Sequence, residues 1–104
     1  MSIWFVSRHP GAVEWAKSQE IDVDYWVPHL SVDDIAPRDT VIGTLPVNMA
    51  AGVCAIGARY INLSLDLPHA WRGRELSAVQ LIAAGARLEE FVVDLPKEYY
   101  EDNN

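Results

Sequence analysis

Ser7, Arg8 and His9 put a hydroxyl, a permanent cation and an imidazole on three consecutive residues. They follow the apolar run Ile3-Trp4-Phe5-Val6 and precede Pro10-Gly11, where a buried strand would hand over to a helix. A guanidinium stabilises developing negative charge, and an imidazole exchanges protons near neutral pH. A hydroxyl can attack an electrophilic centre or hold it by hydrogen bonds. The trio suits work on an anionic group; its alternative reading is a polar turn without chemistry.

Further candidates follow from position. Thr44 and Asn48 belong to "VIGTLPVN", a second stretch in which a strand runs through polar residues and a proline into a helix. Asp66, Arg72 and Arg74 lie on or after the fourth expected strand, with His69 and Trp71 in the same polar loop. Each has a structural reading as well. Ser7 or Thr44 would cap a helix, Asn48 would be a bystander in a first turn, and Asp66 would hold an arginine. Arg72 and Arg74 would be the solvated flanks of Gly73, and Trp71 would either stack on a base or cover the core. His29, after Pro28, reads as structural.

The elements that must position these residues alternate along the chain. Strands are expected at "IWFVS", "VDYWV", "TVIGT", "RYINLSLDL" and "ARLEEFVVDL", and helices at "HPGAVEWAKSQ", "LPVNMAAGVCAIG" and "SAVQLIAAG". In "RYINLSLDL", Ile61, Leu63, Leu65 and Leu67 share one face, and Asn62, Ser64 and Asp66 the other. Ser77 and Gln80 have capping-box spacing, and "SVDDIAPRD" is mostly loop with one helical turn after Ser31. The pattern implies an α/β protein: a Rossmann-like three-layer fold with a mostly parallel five-stranded sheet.

In such a sheet, ligands bind beyond the carboxyl ends of the strands, where the winding reverses. With strand order 2-1-3-4-5 that point falls between the first and third strands, the two followed by proline-led helices. Two helix N-termini facing one crevice favour an anion, and phosphate is the usual one. Ser7, Arg8, His9, Thr44 and Asn48 are delivered to this edge, together with the loop that carries Arg72 and Arg74. "GAR" at 57–59 and again at 85–87 puts Arg59 and Arg87 where strands begin, beside helix carbonyls that favour cations.

Composition sets the bounds. The 104 residues suit one domain over 1–96, followed by an acidic flexible tail over 97–104. A net charge of -7 disfavours long DNA or RNA as a partner but leaves room for a small anion on a local basic cluster. No apolar run approaches a membrane span and no leader segment is evident, so a cytoplasmic location is expected. The single cysteine, Cys54, reads as a small hydrophobe in an apolar stretch.

Several chemistries lack support. Neither a GxxxxGK[ST] loop nor a GxGxxG fingerprint occurs. Carboxylates and histidines are scattered, so no metal and no cofactor is expected. "SRHPG" is similar to the Arg-His-Gly start of histidine phosphatases, but His69 is the last histidine and the late one they need is missing.

Four blocks carry a more specific likeness: "WFVSRHPGAVEWA", "RDTVIGTLPVNMAA", "GARYINLSLDLP" and "RGRELS". In this order they resemble the small type III CRISPR-associated family called Csx-sixteen, over residues 3 to 93. The resemblance implies a ring nuclease that destroys cyclic tetra-adenylate, the messenger of type III antiviral signalling. It also implies kinship with the Rossmann-like domains that sense this messenger, and a homodimer. On that reading Ser7, Arg8 and His9 are catalytic, and Thr44, Asn48, Asp66, Arg72 and Arg74 bind the ligand. The alternatives are a non-catalytic cyclic-oligoadenylate-binding protein, a nucleotide phosphatase and a purely structural subunit.

Overall fold

A computed structural model describes residues 1–96. The expected acidic tail lies outside the described residues. Five strands form one sheet in the order β2-β1-β3-β4-β5: β1 Ile3–Val6, β2 Tyr25–Val27, β3 Thr40–Gly43, β4 Arg59–Ser64 and β5 Arg87–Phe91. The first four are parallel and β5 runs antiparallel to β4. Helices α1 (Pro10–Ser18), α2 (Val47–Ala55) and α3 (Ala78–Ala83) complete the layers, with single 3-10 turns at Val32–Asp34 and His69–Trp71. This is the Rossmann-like α/β fold that the alternation of elements predicts. Among the described residues no helix is long and apolar enough to cross a membrane.

Side-chain alternation along the strands makes two cores, one on each face of the sheet. Phe5, Ile42 and Leu63 point to one face and meet Ala12, Trp15 and Ala16 of α1 and Leu81 of α3. Val41 and Tyr60 point to the other and meet Ala50 and Val53 of α2, with Ile35 and Ala58. Pro10 stands in the first turn of α1, where its missing N–H costs nothing. The short α3 is held by its cap: the Ser77 hydroxyl accepts from the Gln80 amide, and the Gln80 side chain accepts from the Ser77 amide.

Two expectations need correction. The start of β5 was expected at the edge where strands begin, but the antiparallel return sets Arg87 opposite Ser64, at the carboxyl end of β4. There Arg87 pairs with Asp66 at 3.1 and 3.3 Å and with Glu89 at 3.4 Å. Arg59 does lie at the amino edge, in a two-pronged pair with Glu90 at 2.8 and 2.9 Å. The ladder of β4 also stops at Ser64 instead of reaching Leu67, because its partners β3 and β5 end beside Asn62 and Ser64. Residues beyond Ser64 leave the sheet, and the Asp66 amide donates to the carbonyl of Ala84 instead.

Two close approaches shape the carboxyl end. A Cβ at Gly43 would lie 2.6 Å from the Val6 carbonyl oxygen, so β1 and β3 meet there only because residue 43 lacks a side chain. A Cβ at Gly11 would lie 1.8 Å from the Leu76 carbonyl oxygen, so the first turn of α1 touches the backbone leading into α3. Gly11→Ala is expected to push these segments apart and destabilise by roughly 1–3 kcal/mol, as overpacking does. A denaturant midpoint unchanged from that of the wild type would contradict this contact.

The amino end is tied by Asp39, a carboxylate only 4% exposed. Its oxygens accept from the Ser2 amide at 2.9 Å, the Ala36 amide at 3.0 Å and the Trp4 indole at 3.2 Å. The Ser2 and Ala36 amides hold its carboxyl below the usual aspartate range, against a desolvation that acts the other way. A depressed folded-state pKa contributes stability that is whole above the ordinary value, about 3.9, and fades as pH falls through the folded value. Asp39→Ala is expected to cost roughly 2–4 kcal/mol near pH 7, because it strands three donors. The penalty should shrink in acid below pH about 3.9, and an equal penalty at both pH values, read by denaturant melts, would refute this account.

Candidate functional site

The carboxyl ends of β1 and β3 flank the point where the winding reverses. From β1 the chain passes into α1 on one face of the sheet, and from β3 into α2 on the other. Neighbouring strands that send their helices in opposite directions leave a crevice between them. It is a cavity of about 570 Å³, within the range of small-molecule sites.

Its floor is apolar, with Leu45, Met49, Leu63, Leu65, Leu76 and Leu81 contributing. Ser7, Arg8, His9, Thr44 and Arg74 stand on its wall, joined by His29 and Glu75. One carboxylate, that of Glu75, is among the lining groups.

The corner formed by residues 7 to 9 is built locally. The Ser7 amide donates to the Val27 carbonyl at 3.0 Å, which extends the β1–β2 pairing by one step. The Ser7 hydroxyl accepts from the His9 amide at 3.0 Å, closing a tight turn that points the chain into α1. Ser7 is therefore not a cap on the helix itself; His9 occupies that position and makes no side-chain capping bond. Arg8 and His9 are exposed, and His9 Nδ1 lies 2.7 and 3.2 Å from the two carboxylate oxygens of Glu75.

Thr44 likewise caps nothing. Its hydroxyl donates to the Leu63 carbonyl at 3.1 Å, tying the end of β3 to β4. The next residue is fixed by a relay on the other sheet face: the Leu45 amide donates to the Tyr60 hydroxyl, which donates to Asn62, which in turn donates to Ser64. This relay holds the entry to α2. Neither α1 nor α2 has a side-chain cap at its N-terminus, whereas α3 has a full capping box. At the start of α1, Pro10 has no amide hydrogen and the Ala12 amide donates to the His9 carbonyl, which leaves the Gly11 amide open; at the start of α2 the Val47 and Asn48 amides are open.

The remaining predicted residues divide. Arg74 lines the cavity, while Arg72, two residues earlier, is exposed beyond it. Asn48 sits in the first turn of α2, exposed and off the cavity wall. Asp66 is engaged by Arg87 and does not line the cavity, which fits its structural reading. His69 and Trp71 form the second 3-10 turn and stand off the cavity too.

Of the polar lining residues, Glu75 escaped the sequence reading and His29 was read as structural. Glu75 ends the "RGRE" loop, and its contact with His9 spans 66 residues, a separation at which no local pattern gives a signal. His29 follows Pro28 at the end of β2, and the edge rule that located the other candidates would have located it as well.

Charge is sorted rather than abundant. Arg59 and Arg87 are matched by carboxylates, and the Lys17 ammonium lies 5.2 Å from the centre of the Trp26 ring. Among the described residues Arg8, Arg38, Arg72 and Arg74 have no carboxylate within 4.0 Å. Three of these guanidiniums, Arg8, Arg72 and Arg74, come from segments that follow β1 or β4 at the carboxyl end of the sheet, while Arg38 precedes β3 at the opposite edge. Among the same residues, no group of three or more His, Cys, Asp or Glu side chains could hold a metal ion.

Residues 4–94 match the family described as "Putative CRISPR-associated protein (Cas_VVA1548)". No curated protein and no solved structure matches the chain. The matched span runs from β1 through the last strand and takes in every residue that lines the cavity. The chain belongs to this CRISPR-associated family.

Proposed function

We propose that the protein is a metal-independent ring nuclease that opens cyclic tetra-adenylate and so ends type III CRISPR signalling. The observation that carries this reading is that Arg8 and Arg74, which have no carboxylate partner, stand with the His9 imidazole on the wall of the β1–β3 crevice of a CRISPR-associated chain. A cyclic tetranucleotide carries four phosphates and no phosphate terminus. Its bases suit an apolar floor and its phosphates a basic rim. In a two-fold homodimer each protomer would face half of the ring, doubling Arg8, Arg72 and Arg74 to six cations.

The chemistry needs only groups on the ring and on the protein. A ribose 2′-oxygen attacks the adjacent phosphorus, the bond from phosphorus to the 5′-oxygen breaks, and the hydroxyl proton passes to solvent. Arg8 and the open amides of Gly11, Val47 and Asn48 stabilise the charge that builds on the phosphoryl oxygens. The His9 imidazolium donates a proton to the departing 5′-oxygen. Ser7 and Thr44 shape the wall against which the ribose and phosphate rest, and Arg74 closes over the ring. Positioning in line contributes several kcal/mol by itself. Two cuts yield linear di-adenylates ending in 2′,3′-cyclic phosphates.

Separate assays of binding and cutting test this assignment. Arg8→Ala is expected to slow cleavage by roughly 10²–10³-fold. His9→Ala is expected to slow it by roughly 10²–10⁴-fold while binding of the ring persists. If both variants cut at the wild-type rate, the corner has no part in the reaction. A chelator should leave the rate unchanged, and strong inhibition would overturn the metal-free mechanism. Excess labelled ring should be converted to linear product beyond one equivalent per dimer; ring bound but recovered intact would mark a binding protein that sequesters the messenger.

A further inference from the structure

His9 and Glu75 are 66 residues apart in the chain, yet His9 Nδ1 lies 2.7 Å from one Glu75 oxygen and 3.2 Å from the other. The contact is reinforced from the backbone. Gly11, two residues after His9, lies against the carbonyl of Leu76, the residue after Glu75, so closely that a methyl group would not fit. Ser77 then fixes the following turn through its capping box. Glu75 is thus delivered to His9 by a packed joint between α1 and the entry to α3, in addition to the attraction of opposite charges. Among the described residues no other protein group bonds the His9 ring.

A carboxylate only accepts hydrogen bonds, so its partner nitrogen must carry the proton. We propose that Glu75 is a positioning residue: it holds the proton on His9 Nδ1 and leaves Nε2 as the nitrogen that exchanges protons with bound substrate. The inference rests on the ring-nuclease reading for its substrate. Its structural half, the state of the imidazole, stands independently.

With Nδ1–H committed to Glu75, the imidazolium gives its Nε2 proton to the 5′-oxygen as the phosphorus–oxygen bond breaks. The ring is left neutral, with its lone pair on Nε2, and solvent restores the proton. Without Glu75 the ring would turn freely, and the free imidazole side chain prefers the opposite tautomer, protonated on Nε2. Orientation by a carboxylate second partner is a recurrent device for histidines that transfer protons.

The test uses the full chain with ¹⁵N-labelled histidine and reads the tautomer of neutral His9 by NMR in alkaline buffer, without ligand. The wild type should show Nδ1–H, and Glu75→Ala should shift the ring toward Nε2–H. Glu75→Gln, whose amide oxygen also accepts, should retain much of the Nδ1–H form. In cleavage assays Glu75→Ala should lower kcat by about tenfold or more, a part of what a general acid contributes, with KM little changed and Glu75→Gln intermediate. Both residues are about two-thirds exposed at their side chains, and matching thermal melts would show that the variants fold. An Nε2–H ring in the wild type, or a tautomer indifferent to Glu75→Ala, would overturn the assignment. If the tautomer responds as expected but the wild type cuts no cyclic tetra-adenylate, the pairing stands and the proposed activity falls.

Discussion

The structure turns on a reversal of winding between two neighbouring parallel strands. After β1 the chain crosses to one face of the sheet, and after β3 to the other. The carboxyl ends of these strands cannot both be covered by the segments that follow them, so an opening is left at the seam. Gly43 narrows the base of that seam by letting β3 approach the Val6 carbonyl. Ser7 and Thr44 use their hydroxyls to fix the first steps away from the sheet. What lines the crevice is therefore set by topology first and by side-chain choice second.

Electrostatics explains how an acidic chain can present such a site. Glu89 and Glu90 belong to β5, three strand spacings from β1, or roughly 14 Å at the usual separation. Physiological salt screens exposed charges over about 8 Å, so these carboxylates scarcely reach Arg8 and His9 at the end of β1. They are moreover engaged by Arg87 and Arg59. The net charge of -7 describes the molecule as seen from afar. At the rim the local balance is set by Arg8, Arg74, His9 and Glu75, above an apolar floor that strengthens each interaction.

Much of this was legible in the sequence, and the reasons are particular. Alternation in "RYINLSLDL", the proline at the start of each of the first two helices and the Ser77–Gln80 spacing are local patterns, and each marks an element that the structure contains. Given the strand order, the edge rule brought Ser7, Arg8, His9, Thr44 and Arg74 to one cavity. The direction of β5 was not legible, because a strand reads the same whether its neighbour is parallel or antiparallel. Arg87 consequently lies at the carboxyl edge, where it engages Asp66, one of the expected ligand contacts. Glu75 was hidden for a related reason: only tertiary packing through Gly11 brings it to His9.

The central claim is that a cyclic nucleotide seats at the β1–β3 crevice. The most direct measurement is an amide NMR titration of ¹⁵N-labelled protein with cyclic tetra-adenylate whose 2′-oxygens are methylated, which removes the attacking group and leaves the ring intact. The account predicts perturbations concentrated at residues 7–12, 43–49 and 63–76, and little change around Asp39 and Arg59 at the opposite edge. Perturbations confined to that opposite edge, or none at saturating ring, would contradict it.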